Sequence, residues 1–360
     1  MDKERRLVIN IGNHKTGTTS IQAALFSNRA YLQEQGFSLF SHELDGRWRK
    51  QGNIHPWVKT RNGGVINADL PATLARLPGN VIISDENFSW IFNEHEIRKF
   101  QAGVAEHFGE ICIVPYLRRQ DQQAISHYQQ GSKKGHFLAA QFYARGNKAL
   151  PPFRAHYCEY MDYNRRIGCW ADAFGESSVK IRLFESALLK NGDVVEDFFD
   201  TVSLDILEKP GNKNESLGFE KTKISHLMNH QQVKYSIKKR LLRYLDDSGK
   251  SLPSRKEAEV FYNHFRHSNI LLNQRFAISE REYLFSEDFT MYPEAPADLW
   301  TEDSANRAIQ HLLAGIKNIP LVSREEIALL RDCATVLAGE NMEQSRRLAE
   351  LADRLQEKKP

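Results

Sequence analysis

The chain has 360 residues, little cysteine, no long apolar run and almost no charge imbalance. Its four cysteines stand at 112, 158, 169 and 333 and form no C-x-x-C pair. That spacing argues against a disulfide framework or a zinc site. The thirteen histidines show no H-E-x-x-H or similar spacing, so no metal is expected. No apolar run approaches the roughly 18–20 residues that a membrane span needs. The opening residues, MDKERRLVINIG, carry basic side chains but no signal-type apolar stretch. A soluble, cytoplasmic protein with no transmembrane segment is expected. Lys+Arg total 49 and Asp+Glu 46, a net charge of +3, which argues against a general nucleic-acid binder. A small, focused anion site remains compatible with that balance. Hydrophobic residues at 41% and charged residues at 26% are ordinary for a folded domain.

What is present is an alternation of short apolar runs and helical patterns. Residues 6–12, RLVINIG, read as a buried strand. A polar turn and a helical pattern ending near Gly36 follow. Residues 37–78 are interrupted by glycine and proline and read as irregular. A second strand is expected over 80–88, a helix over 94–109 with Gly109 as its cap, and a third strand over 110–118. A helical stretch, DQQAISHYQQ, comes next, then a helix over 157–174, a strand over 179–185 and a helix over 194–202. Strands alternating with helices predict an α/β fold with a central parallel sheet. From about 221 onward only helical patterns appear, among them a basic one at 234–245 and a long one at 254–276.

The turn between the first strand and the first helix is GNHKTGTTS, residues 12–20. Backbone N–H groups at a helix N-terminus, with the positive end of the helix dipole, favour an anion. Thr16, Thr18, Thr19 and Ser20 add hydroxyls, Gly17 allows close approach, and Lys15 adds a positive charge. Gly12 and Gly17 have the separation found in G-x-x-x-x-G-K-[ST], the ATP-binding P-loop. The lysine that should follow the second glycine is missing; Thr18 stands there. Lys15 lies two positions before Gly17 instead, so the ligand should differ from ATP–magnesium.

The K-T-G-T-T-S form resembles the 5′-phosphosulfate loop of sulfotransferases that use 3′-phosphoadenosine 5′-phosphosulfate (PAPS). A second motif carries the resemblance further. YLRRQDQQAISHYQQ, residues 116–130, has Arg118 at the end of a strand and Ser126 eight positions on. In that family these positions hold the 3′-phosphate, for which a guanidinium fork and a hydroxyl are suited. DYNRRIGCWADAFGESSVKIRLFE at 162–185, NESLG at 214–218 and SNILLNQRF also look like segments of bacterial polysaccharide- and lipooligosaccharide-modifying sulfotransferases. The resemblance spans about residues 6 to 292. It implies a P-loop NTPase-like three-layer fold, with a sulfotransferase domain over 1–292 and a helical C-terminal extension over 293–360. Asn214 and Ser216 fall where cytosolic members have an R-K-G stretch that adds contacts to the 3′-phosphate.

The resemblance also implies the chemistry: transfer of a sulfuryl group from PAPS, without metal, to a hydroxyl of a saccharide or lipid-linked glycan. Lys15 would stabilise the leaving phosphate. Glu86, in the S-D-E-N-F turn, is the expected general base, with Asp85 as the neighbouring carboxylate and His14 as a rival. Phe184 stands where an aromatic lies near the adenine in cytosolic members, although core packing explains it equally. Trp48 and Trp57 suit either sugar stacking or packing. The Lys133–Lys134 pair and the basic run of Lys234, Lys238, Lys239, Arg240 and Arg243 suit an anionic acceptor or peripheral membrane contact, or plain solvation. The C-terminal helices are the expected site of homo-oligomer contacts. The alternative to a sulfotransferase is a nucleotide or small-molecule kinase with a degenerate P-loop; a third reading is a non-enzymatic scaffold built on a dead domain.

Overall fold

The apolar run RLVINIG forms the middle strand of a five-stranded parallel sheet. The computed structural model describes residues 4–40, 43–44, 47–48, 57–59, 64–133, 148–209, 211, 217–317 and 324–357. In chain order the main elements are β1 (Arg6–Gly12), α1 (Thr18–Ser27), α2 (Arg29–Glu34), β2 (Phe37–Leu39), α3 (Leu70–Ala75) and β3 (Asn80–Ser84). There follow α4 (Glu94–Ala105), β4 (Glu110–Leu117), α5 (Gln120–Lys133), α6 (Ala155–Met161), α7 (Tyr163–Phe174), β5 (Arg182–Leu183) and α8 (Val194–Thr201). The remaining helices are α9 (Phe219–His230), α10 (Tyr235–Leu241), α11 (Arg255–Phe276), α12 (Glu302–Lys317), α13 (Arg324–Leu337) and α14 (Met342–Glu357).

The strand order is β2-β3-β1-β4-β5, and every neighbouring pair is parallel. β1 is covered on both faces. Leu7, Ile9 and Ile11 pack with Ile97 and Phe100 of α4, Trp170 of α7 and Tyr262 of α11. Val8 points the other way, to Ile21 and Leu25 of α1 and Phe198 of α8. Alternate residues of one strand thus serve two helical layers, the α/β arrangement with a central parallel sheet that the strand–helix alternation predicts. Each fully buried aliphatic or phenylalanine side chain contributes about 1.5–3 kcal/mol relative to exposure.

The described residues fall into two compact units. The first lies within 1–131, 136–216 and 251–298 and holds the sheet; the second lies within 132–135, 217–250 and 299–360. The second has its own apolar cluster of Ile224, Met228, Leu241, Leu245 and Ala308. Among the described residues no helix is long and apolar enough to cross a membrane.

Several expected elements are shorter or divided. The first helix breaks at Asn28, whose amide donates to Ala24 O (2.8 Å) and Glu208 O (2.7 Å). The helix expected over 157–174 divides at Asp162, which caps α7 by accepting from Arg165 N. α4 stops at Ala105, so Gly109 does not cap it; Gly109 N donates to Arg5 O and leads into β4. β3 stops at Ser84, because Asp85 caps a 3-10 turn over Glu86–Trp90. The strand expected over 179–185 pairs as only Arg182–Leu183, with one bridge from Val179 to Ile113. β2 lies in the stretch that reads as irregular.

Candidate functional site

The site begins where β1 leaves its regular register. The pairing with β4 shifts between Asn10 and Gly12, the kind of irregularity that re-aims a chain beside a functional loop. Asn10 is buried; its amide donates to Ser84 Oγ (2.9 Å), and its Oδ1 accepts from Gly12 N (3.1 Å). Gly12 has φ +72°, and Gly17 has φ +79° in the left-handed region. A Cβ on Gly17 would stand 2.5 Å from Val194 Cγ1, so α8 packs directly on that glycine. Lys15 itself has φ +63°, uncommon for a residue with a side chain.

Gly17 is the N-cap of α1 and supplies no side-chain acceptor, and the first turn holds no acidic residue. Helix geometry leaves the leading N–H groups, those of Thr18 and Thr19, outside the ladder at the positive end of the helix dipole. Thr19 is exposed, Ser20 half-buried and Thr18 buried. Thr16 is the most enclosed of the loop threonines. It is fully buried, and its hydroxyl donates to Asn13 O at 2.7 Å, closing the loop internally.

Glu86 begins the turn after β3 and sits against this loop. Gln22 Nε2 on α1 donates to Glu86 Oε2 (3.0 Å) and to Ser84 O (3.1 Å). Glu86 Oε1 lies 3.9 Å from His14 Nδ1, so the structure brings both base candidates together. Asp85 is engaged differently. It is buried, and its Oδ1 accepts from Asn87 N at 2.6 Å as the cap of the turn. His14 O accepts from Gln123 Nε2 at 2.6 Å, and the His14 ring lies 6.0 Å from His127 and 6.1 Å from Trp90.

Arg118 follows β4 and reaches the same loop. Its NH1 donates to Lys15 O at 3.5 Å, its Nε to Gln122 Oε1 at 3.3 Å, and its guanidinium lies 5.6 Å from the Phe184 ring centre. Tyr163 Oη donates to Arg118 O (2.7 Å) and fixes the backbone there. Burial draws the Arg118 pKa down from the ordinary arginine value, yet arginine stays charged. Arg119 is different. It is buried, forks onto both oxygens of Asp121 (2.8 and 3.0 Å) and donates to Ser286 O and Asp288 O at 2.6 Å. Of the adjacent arginines, Arg119 is the structural one.

α5 joins these parts. Gln122, Ser126 and Gln130 fall at i, i+4 and i+8, one stripe of the helix, about 12 Å long at 1.5 Å per residue. Gln122 accepts from Arg118, and Gln130 Oε1 accepts from Lys15 Nζ at 3.3 Å. Ser126 stands between them. Gln22, Gln122, Gln123 and Gln130 are not singled out by sequence reasoning. The four-residue spacing around Ser126 is the signal that finds two of them; Gln22 has no local signal. Asn214, Ser216, Lys134 and the side chain of Trp48 lie outside the described residues. Trp57 is half-buried against the core and lies edge-on to Phe40 at 6.2 Å.

No family model matches the chain. A protein of Archaeoglobus fulgidus, described only as uncharacterized, is 25% identical over 262 residues, covering 69% of this chain and 68% of its own length. Among solved structures, a sulfotransferase from Alicyclobacillus acidocaldarius aligns over 78% of this chain and 98% of its own, at 14% identity and a TM-score of 0.41. Likeness at that level assigns no activity, and the functional reading rests on the side chains.

Proposed function

We propose that the protein is a sulfotransferase that uses PAPS and transfers a sulfuryl group to a hydroxyl, with a saccharide or lipid-linked glycan as acceptor. The observation that carries this reading is the meeting of two motifs 103 residues apart. Arg118 reaches the Lys15 carbonyl, while α5 touches both residues. The donor set fits a nucleotide with two separated anionic groups. Lys15, Gly17 and the leading N–H groups of α1 suit the 5′-phosphosulfate; Arg118 and Ser126 suit the 3′-phosphate. Thr18 takes the place where an ATP-binding loop has lysine, which disfavours the kinase reading.

PAPS supplies the sulfuryl group and leaves as adenosine 3′,5′-bisphosphate. The acceptor oxygen forms the new S–O bond, the bond from sulfur to the bridging phosphate oxygen breaks, and Glu86 takes the acceptor proton. Gln22 holds Glu86 Oε2, which turns Oε1 toward His14. Lys15 and the loop amides meet the charge that grows on the departing phosphate oxygen, as preorganised donors do in general.

The test is equilibrium binding of adenosine 3′,5′-bisphosphate against ATP–magnesium, followed by transfer from radiolabelled PAPS to a panel of saccharides. Micromolar affinity for the bisphosphate, with weaker binding of ATP–magnesium, is expected. Tight ATP–magnesium binding without bisphosphate binding overturns the proposal in favour of a kinase. Binding neither returns the chain to the scaffold reading.

A further inference from the structure

Two buried arginines stand near the site, and the fold treats them differently. Arg119 is neutralised by the Asp121 carboxylate. Arg166, on α7, is fully buried and has no ion pair among the described residues. Its NH2 donates to Asn13 Oδ1 at 2.6 Å and its NH1 to Ser89 O at 3.3 Å. The rings of Tyr160 and Tyr163 lie 5.1 and 5.3 Å from its guanidinium carbon. The carboxylate of Asp162 is engaged elsewhere, accepting from Arg165 N and Ser268 Oγ. Arg166 Nε has no acceptor among the described residues.

Asn13 shares this condition. Arginine only donates, so the Asn13 oxygen must face Arg166, and the amide nitrogen is thereby fixed away from it. That nitrogen is buried and has no acceptor among the described residues. Two donors and one full charge are therefore left uncompensated directly behind residues 12–17. Buried charges are ordinarily paired and buried donors satisfied, and exceptions concentrate where function requires them. Asn13 belongs to the anion loop, and Ser89 closes the turn that begins at Glu86, donating to Glu86 O at 2.6 Å.

We propose that Arg166 is a positioning residue for the anion site. It ties the Asn13 loop to the Glu86 turn and provides a buried positive charge that a bound anion offsets. The inference rests on the anion site proposed above, but it does not require the anion to be PAPS.

The experiment uses the full chain with Arg166→Met, Arg166→Gln and Arg166→Lys. Thermal midpoints are measured without ligand, and binding of adenosine 3′,5′-bisphosphate and of inorganic pyrophosphate is measured by calorimetry. Arg166→Met should leave the midpoint unchanged or raise it, since apolar replacement of a buried charge is often neutral or stabilising. It should also weaken both anions by about tenfold or more. Arg166→Gln, which keeps donors without charge, should show the same loss and decides the matter if Arg166→Met does not fold. Arg166→Lys should recover much of the affinity. Wild-type affinity in both neutral variants overturns the inference, whatever their midpoints. A wild type that binds pyrophosphate but not the bisphosphate overturns the PAPS reading alone; one that binds neither overturns both.

Discussion

Gly12 packs against Glu86 so closely that a Cβ on the glycine would stand 2.9 Å from the glutamate Cβ and 3.0 Å from its Cα. The start of the proposed anion loop and the proposed base are therefore placed by one close contact. Gly12→Ala must move one of them, and it also puts a side chain at φ +72°. A stability loss of about 1–3 kcal/mol is expected. Turnover should fall more than bisphosphate affinity. Urea unfolding together with a transfer assay checks this; unchanged turnover would remove Gly12 from the positioning of Glu86.

Lys15→Ala and Glu86→Gln should separate binding from chemistry. Lys15→Ala is expected to abolish transfer and weaken the bisphosphate. Glu86→Gln should bind the bisphosphate normally while turnover falls by about 10²–10⁴. Calorimetry and single-turnover transfer read the two effects. Normal turnover in Glu86→Gln would end its assignment as the base and pass the role to His14, 3.9 Å away.

The adjacent arginines should give opposite phenotypes. Arg118→Ala is expected to cost about 1.5–3 kcal/mol of bisphosphate binding, the range for hydrogen bonds to charged groups. Its fold should change little. Arg119→Ala leaves Asp121 buried without its partner, so a stability loss of about 3–5 kcal/mol is expected. Denaturant midpoints and binding constants for both variants decide; a stable Arg119→Ala that fails to bind would reverse the two roles.

Lys238 is buried, and its ammonium donates to the carbonyls of Ser132 and Lys133 and to Asn229 Oδ1. Burial pulls its pKa from 10.5 down to about 8. Below that value folded and unfolded chains both hold the proton, and the contribution is flat. Between the two values the unfolded chain holds it and the folded chain does not, so stability rises with pH across this window. The urea midpoint of the wild type should therefore gain on that of Lys238→Met between about pH 8 and 10.5. Parallel profiles would show that burial does not shift this lysine.

Much of this arrangement is legible in sequence because it is local. RLVINIG, GNHKTGTTS and Arg118–Ser126 each lie on one strand–helix turn, where chain order dictates geometry. The division of roles between Arg118 and Arg119 is not legible, because Asp121, Ser286 and Asp288 decide it, and two of these lie about 170 residues away. Gln22 and Arg166 are invisible for a similar reason. Each looks like an ordinary helical residue until distant loops fold over it. The breaks at Asn28 and Asp162 depend on side-chain bonds that periodicity does not register. The bond from the Thr16 hydroxyl to Asn13 O, which closes the loop, is likewise not legible in the run of hydroxyls.

The central position of β1 has a consequence for the growing chain on the ribosome. Its neighbours are β3 and β4, and 67 residues separate Gly12 from the first residue of β3, Asn80. At about 5–20 residues per second, a largely apolar strand waits roughly 3 to 13 seconds for its first pairing partner. Parallel pairing across such intervals is intrinsically slow. A strand buried on both faces in the finished protein is thus one in need of shelter while the protein is being made.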